Sequence, residues 1–141
     1  MAEEFELSRF VDAQVGTYEQ ALAELRAGRK RSHWMWFVFP QMAGLGSSDM
    51  ARRYAIRSAR EARAYLDHPL LGARLRESTR AVLAHEGMRA EAIFGSIDAV
   101  KLRSSMTLFD QVGEESDPFA PCLDAFFGGA RDAATLRLLA G

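Results

Sequence analysis

Six consecutive large apolar residues, Trp34, Met35, Trp36, Phe37, Val38 and Phe39, constrain this chain more than any other feature. A run without a polar position has no wet face, so it is expected to be a buried central element on which others pack. Ser32 offers an N-cap before it and Pro40 a stop after it, and no other stretch supplies a partner strand. The run is therefore read as a buried helix. In full, residues 28–46 read GRKRSHWMWFVFPQMAGLG. Three successive cations and His33 stand at the mouth of the block, and a glycine-spaced loop leaves it.

Those cations give the first candidate site. Arg29, Lys30 and Arg31 would hold a phosphate or carboxylate, and Trp34 would offer a flat face to a base or ring. His33 titrates near neutrality and would orient the ligand or handle a proton. A structural explanation competes with this one. The cations also gather at the end of a helix stopping near Ala27, where they complement its dipole, with Gly28 at the natural stop.

Charge is unevenly spread. Between Arg26 and Arg63 nine cations meet two acids, Asp49 and Glu61, a balance of +7 in a chain whose net charge is −1. The remainder therefore sums to −8, much of it around Glu114, Glu115, Asp117, Asp124 and Asp132. The basic segment is expected either to form a continuous positive surface or to pair with this acidic third.

The rest of the chain reads as helices. Residues 8–15 place Phe10, Val11 and Val15 on one side. Thr17 and Gln20 form a capping-box pattern before Tyr18, Ala21, Leu22 and Leu25, and Ser58 with Glu61 forms another. Ser48 or Asp49, Pro69, Ser96 or Asp98, Asp117-Pro118 and Asp132 mark further starts. Gly87, Gly95 and Gly128-Gly129 mark stops. No stretch alternates like a strand. The expectation is an all-α bundle of about six to eight helices, one domain over residues 1–141, with residues 1–7 loosely held.

Several chemistries are set aside. No apolar run approaches the ~18 residues that span a bilayer, and the acidic N-terminus lacks a signal peptide's basic and apolar regions. A cytoplasmic home without membrane association follows by elimination. A single cysteine, Cys122, excludes an internal disulfide and a multi-cysteine metal site, and its apolar neighbours suggest an inert buried thiol. His33, His68 and His85 form no local ligand pattern, so no metal and no cofactor is expected. Dinucleotide, Walker, HExxH and GxSxG signatures are absent.

Two smaller constellations remain. Asp67-His68-Pro69 is an oriented imidazole or, more simply, a helix cap. Asp98, Lys101 and Ser105 fall at i, i+3 and i+7, with Ser104 beside them. A lysine next to serines would lower a hydroxyl's pKa or bind an anion, whereas an Asp98–Lys101 surface pair is the plainer reading. His33, Lys101 and Ser105 are the catalytic candidates, and they would form one site only if Lys101 lies close to residues 29–33.

The segments RFVDAQ, ELRAGRKRSHWMWFVFPQMAGLG, YLDHPLLGARL and IFGSIDAVKLRSSMTLF carry a resemblance. Together they are similar to a family of short microbial proteins of unknown function to which a calpastatin-like label has sometimes been attached. The resemblance implies an all-helical single domain and no reaction. It lends nothing to the label, since calpastatin is long and disordered and this chain is short and core-rich.

The reading that results is a helical protein binding a small anionic ligand, a nucleotide or a phosphorylated metabolite. Nucleic acid is the less favoured partner. One alternative is a protein-interaction module using its basic face; the other is a hydrolase acting on a nucleotide or ADP-ribose linkage. Oligomeric state is left open.

Overall fold

The computed structural model describes residues 5–141. Through them run nine helices: α1 (Ser8–Gln14), α2 (Tyr18–Arg26), α3 (Met35–Val38), α4 (Asp49–Arg53), α5 (Ala59–Asp67), α6 (Leu71–Leu83), α7 (Ala90–Val112), α8 (Phe119–Phe127) and α9 (Ala133–Ala140). Among the described residues there is no strand, only two isolated bridges, Met42 with Ile56 and Glu86 with Met88. The fold is all-α as expected. Its helix count, nine among the described residues, is slightly above the expected six to eight. Part of the expected loose N-terminus is held: Leu7 is buried and Phe5 packs against the core. Residues 1–4 lie outside the described residues.

Most start signals act as their chemistry requires. The Ser48 hydroxyl accepts from the Ala51 N–H at 3.1 Å, Ser58 from Glu61 at 3.0 Å, and the Asp132 carboxylate from Thr135 at 3.0 Å. Each satisfies a donor that the first turn would otherwise leave unpaired. His68 also caps: its Nδ1 accepts from the N–H groups of Leu70 and Leu71 at 3.1 and 3.2 Å. The Thr17–Gln20 box does not form. Thr17 makes no capping bond, and Gln20 donates instead to Glu24 at 2.8 Å.

The apolar block is buried but is not the centre. Only its middle four residues are helical, because Pro40 drives Phe39 out of the α region, at φ −125° and ψ 74°. Trp34, Met35, Phe37, Val38 and Phe39 are buried, while Trp36 is only partly buried. The central place belongs to α7, which packs against α5, α8 and α9. Its residues Ser104 to Phe109 are all buried. Rings link the elements around it: Phe10 meets Tyr65 edge-on at 5.1 Å, Tyr65 meets Phe109 at 5.3 Å, and Phe109 meets Phe119 at 6.0 Å.

Two features position the surface of interest. Within α7, Gly95 breaks the helix at φ 81° and ψ 164°, a conformation open essentially to glycine alone. The carbonyl of Ile93 just before the break accepts from the Lys30 N–H at 2.8 Å. Second, Arg9 ties α1 to the junction of α4 and α5. Its guanidinium meets the buried Glu61 carboxylate at 2.6 Å and donates to the carbonyls of Arg53 and Ala55. The other Glu61 oxygen accepts from the Arg57 N–H at 2.9 Å, which fixes the backbone at Arg57.

Candidate functional site

The segment from Arg29 to Trp34 is built around an acid that sequence reasoning passed over. Glu24, on the inner side of α2, is 4% exposed. It accepts from the N–H groups of Arg31 and Ser32 at 2.7 and 3.0 Å, the Ser32 hydroxyl at 2.6 Å and the Trp34 indole Nε1–H at 3.0 Å. Burial alone would raise the Glu24 pKa. The bonds from Ser32, Arg31, Gln20 and Trp34 outweigh it and hold the carboxyl at about 2. A polar residue at a core-facing helical position, ten residues before a tryptophan, was the available signal.

This arrangement corrects the role expected of Trp34. The indole is wholly buried, with its N–H spent on Glu24 and the Lys30 ammonium 4.9 Å from its ring centre. It offers no open face for stacking. Lys30 is likewise turned inward. Its ammonium donates to the Ser32 carbonyl at 2.6 Å and pairs with Asp98 at 2.9 Å. Arg29, Arg31 and His33 are exposed.

The end of α2 is sealed not by the cations but by His85. Its Nε2 lies 2.9 and 3.0 Å from the carbonyls of Leu25 and Arg26, two acceptors that only a protonated nitrogen can serve. A side chain at Gly28, where φ is 75°, would press on that ring at 3.1 Å.

Lys101 does come close to the basic segment. One carboxylate, Asp98, bridges the two lysines, Lys30 through one oxygen at 2.9 Å and Lys101 through the other at 3.7 Å. The long second contact leaves the Lys101 charge only partly compensated. The ammonium sits 5.2 Å from the centre of the Trp36 ring. Ser105 does not join it. Residues Ser104 to Phe109 of α7 are buried all round, so the expected polar stripe ends inside the core. There Ser105 is wholly buried and its hydroxyl has no partner among the described residues. It cannot reach a solvent-borne substrate. Cys122 is also buried, its thiol pushed up to about 12 by desolvation.

A concave site exists elsewhere, around Trp36. A cleft of about 300 Å³ opens between α3, the loop after it and the α4–α5 junction, lined by Trp36, Gln41, Tyr54, Arg52 and Arg57 among others. Neither Arg29, Lys30, Arg31, His33 nor Trp34 lines it. Among the described residues neither the Arg52 nor the Arg57 guanidinium has a carboxylate within ion-pair distance. A second cleft of about 530 Å³ adjoins it and shares Gln41, Gly46 and Ala51. Its other walls carry Lys101, Ser104 and Asp132 beside the exposed apolar side chains of Ile97 and Val100.

The basic segment does not pair with the acidic third as a block. Asp117 meets Arg76 at 2.6 Å, and Asp132 caps α9. From the segment itself, Lys30 pairs with Asp98, Arg26 lies 3.8 Å from Glu77, and Arg63 meets Asp67 and Glu114. No three His, Cys, Asp or Glu side chains among the described residues gather to hold a metal ion. None of the helices there is long and apolar enough to cross a membrane.

Comparison with known proteins agrees with this architecture and adds no chemistry to it. No curated protein matches the chain. A crystal structure of the conserved hypothetical protein Rv1873 from Mycobacterium tuberculosis is 52% identical to it. That likeness covers 99% of each chain with a TM-score of 0.96. A family model described as protein of unknown function, DUF1810, matches residues 4–139. With nearly its whole length matched, the chain belongs to the DUF1810 family of proteins of unknown function.

Proposed function

We infer that the protein binds a small anionic ligand carrying a planar group, such as a nucleotide, in the cleft beside Trp36. One observation carries this reading: a partly buried indole lines a concave site with two guanidiniums, Arg52 and Arg57, that have no carboxylate within ion-pair distance among the described residues. A guanidinium without a carboxylate partner is free to take a phosphate in a two-pronged bond. An indole wall supplies stacking of about 1–3 kcal/mol per base, and Gln41 brings both donors and acceptors to a ring edge.

Binding is favoured over hydrolysis. Among the described residues the cleft holds no histidine, cysteine or carboxylate to act as base or nucleophile. Of the catalytic candidates, Ser105 is enclosed in the core and His33 lies outside the cleft. Concavity at Trp36 favours a ligand over a protein partner docking on a flat basic face.

The test is a calorimetric titration of AMP and ADP into the protein at low and moderate salt. Saturable binding that weakens with salt and falls at least about tenfold in Arg57→Ala agrees with the reading. Absence of binding to either nucleotide, or binding indifferent to Arg57 and Trp36, contradicts it.

A further inference from the structure

The two clefts that meet at residues 41–51 differ in chemistry. The first joins the Trp36 ring to the guanidiniums of Arg52 and Arg57. The second joins one cation, Lys101, to a carboxylate, Asp132, on an apolar wall of Val100 and Ile97, which are 62% and 73% exposed. Among the described residues only one Asp132 oxygen is used: Oδ2 accepts from the Thr135 N–H at 3.0 Å and from its hydroxyl at 2.6 Å. The other is left as an acceptor. An anionic ligand alone would not call for a carboxylate there, since like charges repel. A ligand with hydroxyl donors would, because a carboxylate accepts only from donors. The apolar wall suits the C–H face of a sugar ring.

Resting on the reading above, we propose that the occupant is two-ended: a nucleoside diphosphate sugar. The base lies against Trp36 and the diphosphate runs past Arg52 and Arg57 towards Lys101. The sugar occupies the second cleft, with a hydroxyl on Asp132. The shared wall of Gln41, Gly46 and Ala51 is what allows one molecule to reach both sides. Lys101 serves both ends, 5.2 Å from the Trp36 ring centre and in the lining of the second cleft.

The experiment compares ADP with ADP-glucose on the full chain by calorimetry, in wild type and two variants. Asp132→Asn keeps one oxygen for the α9 cap and turns the other acceptor into a donor. Val100→Trp enlarges an exposed side chain and narrows the second cleft. Wild type is expected to prefer ADP-glucose by about tenfold or more, and each variant is expected to bring that ratio close to one. Equal affinity of wild type for ADP and ADP-glucose overturns the two-ended ligand and leaves nucleotide binding intact. A preference that survives both variants also overturns it, because the sugar then lies elsewhere. Failure of both ligands to bind removes the nucleotide reading itself, and this proposal with it.

Discussion

The Trp34 indole donates its Nε1–H to the Glu24 carboxylate at 3.0 Å, inside the protein and ten residues apart along the chain. The same carboxylate holds the Arg31 and Ser32 amides. The bend that brings the basic segment into the apolar block is therefore organised by one acid.

That acid makes stability depend on pH in a defined window. The folded Glu24 pKa is about 2, below its ordinary value of 4.5. A depressed carboxyl contributes stability that is complete above the unfolded value and lost as pH falls towards the folded one. The contribution is about 3 kcal/mol at neutrality and fades between roughly pH 5 and pH 2. Urea midpoints measured across that range should fall less steeply in Glu24→Gln than in wild type. Parallel curves for the two proteins would remove Glu24 from this role.

The two tryptophans should respond differently to truncation. Trp34 is wholly buried and Trp36 partly buried. Trp34→Ala leaves a cavity and takes one of three donors from a Glu24 oxygen that still holds the Arg31 and Ser32 amides, a loss of about 3–5 kcal/mol set by the cavity. Trp36→Ala removes a ring that already touches water, and should cost about half as much. Chemical denaturation of both variants checks the order; a larger loss at Trp36 contradicts it.

Gly95 sits at φ 81°, and a Cβ added there would meet nothing within 4 Å. Any penalty for Gly95→Ala is thus backbone strain alone, about 1–3 kcal/mol. The urea midpoint should drop with an unchanged slope. An unaltered midpoint would mean that the break in α7 relaxes at no cost.

How much of this the sequence made legible follows from how local each signal is. Ser48, Ser58 and Asp132 cap helices by bonds spanning three residues, so their roles could be read directly. So could Gly95 and Gly128, which stop helices through their own backbone angles. The Thr17 cap failed because Gln20 had a better partner in Glu24, an outcome decided by tertiary packing. Centrality was misplaced for a similar reason. An apolar run reports burial, whereas the all-round burial of Ser104, Ser105 and Thr107 comes from the helices packed around α7. The candidate site shows the same limit. Sequence recognised basic and aromatic chemistry in residues 28–46, but neighbouring tryptophans point to different surroundings, and only the fold shows that Trp36 is the accessible one. Arg52 on α4 and Arg57 in the α4–α5 connection reach the same cleft, the Arg57 backbone being held by Glu61.

The most direct test of the account uses the chain's two indole N–H resonances. In a heteronuclear correlation spectrum, with Trp36→Phe assigning the signals, ADP is titrated into the wild-type protein. The account predicts that the Trp36 resonance shifts progressively and saturates, while the Trp34 resonance, hydrogen-bonded to Glu24 in the core, stays in place. A Trp36 signal unmoved by about 10 mM ADP, or a shift confined to Trp34, would contradict binding in this cleft.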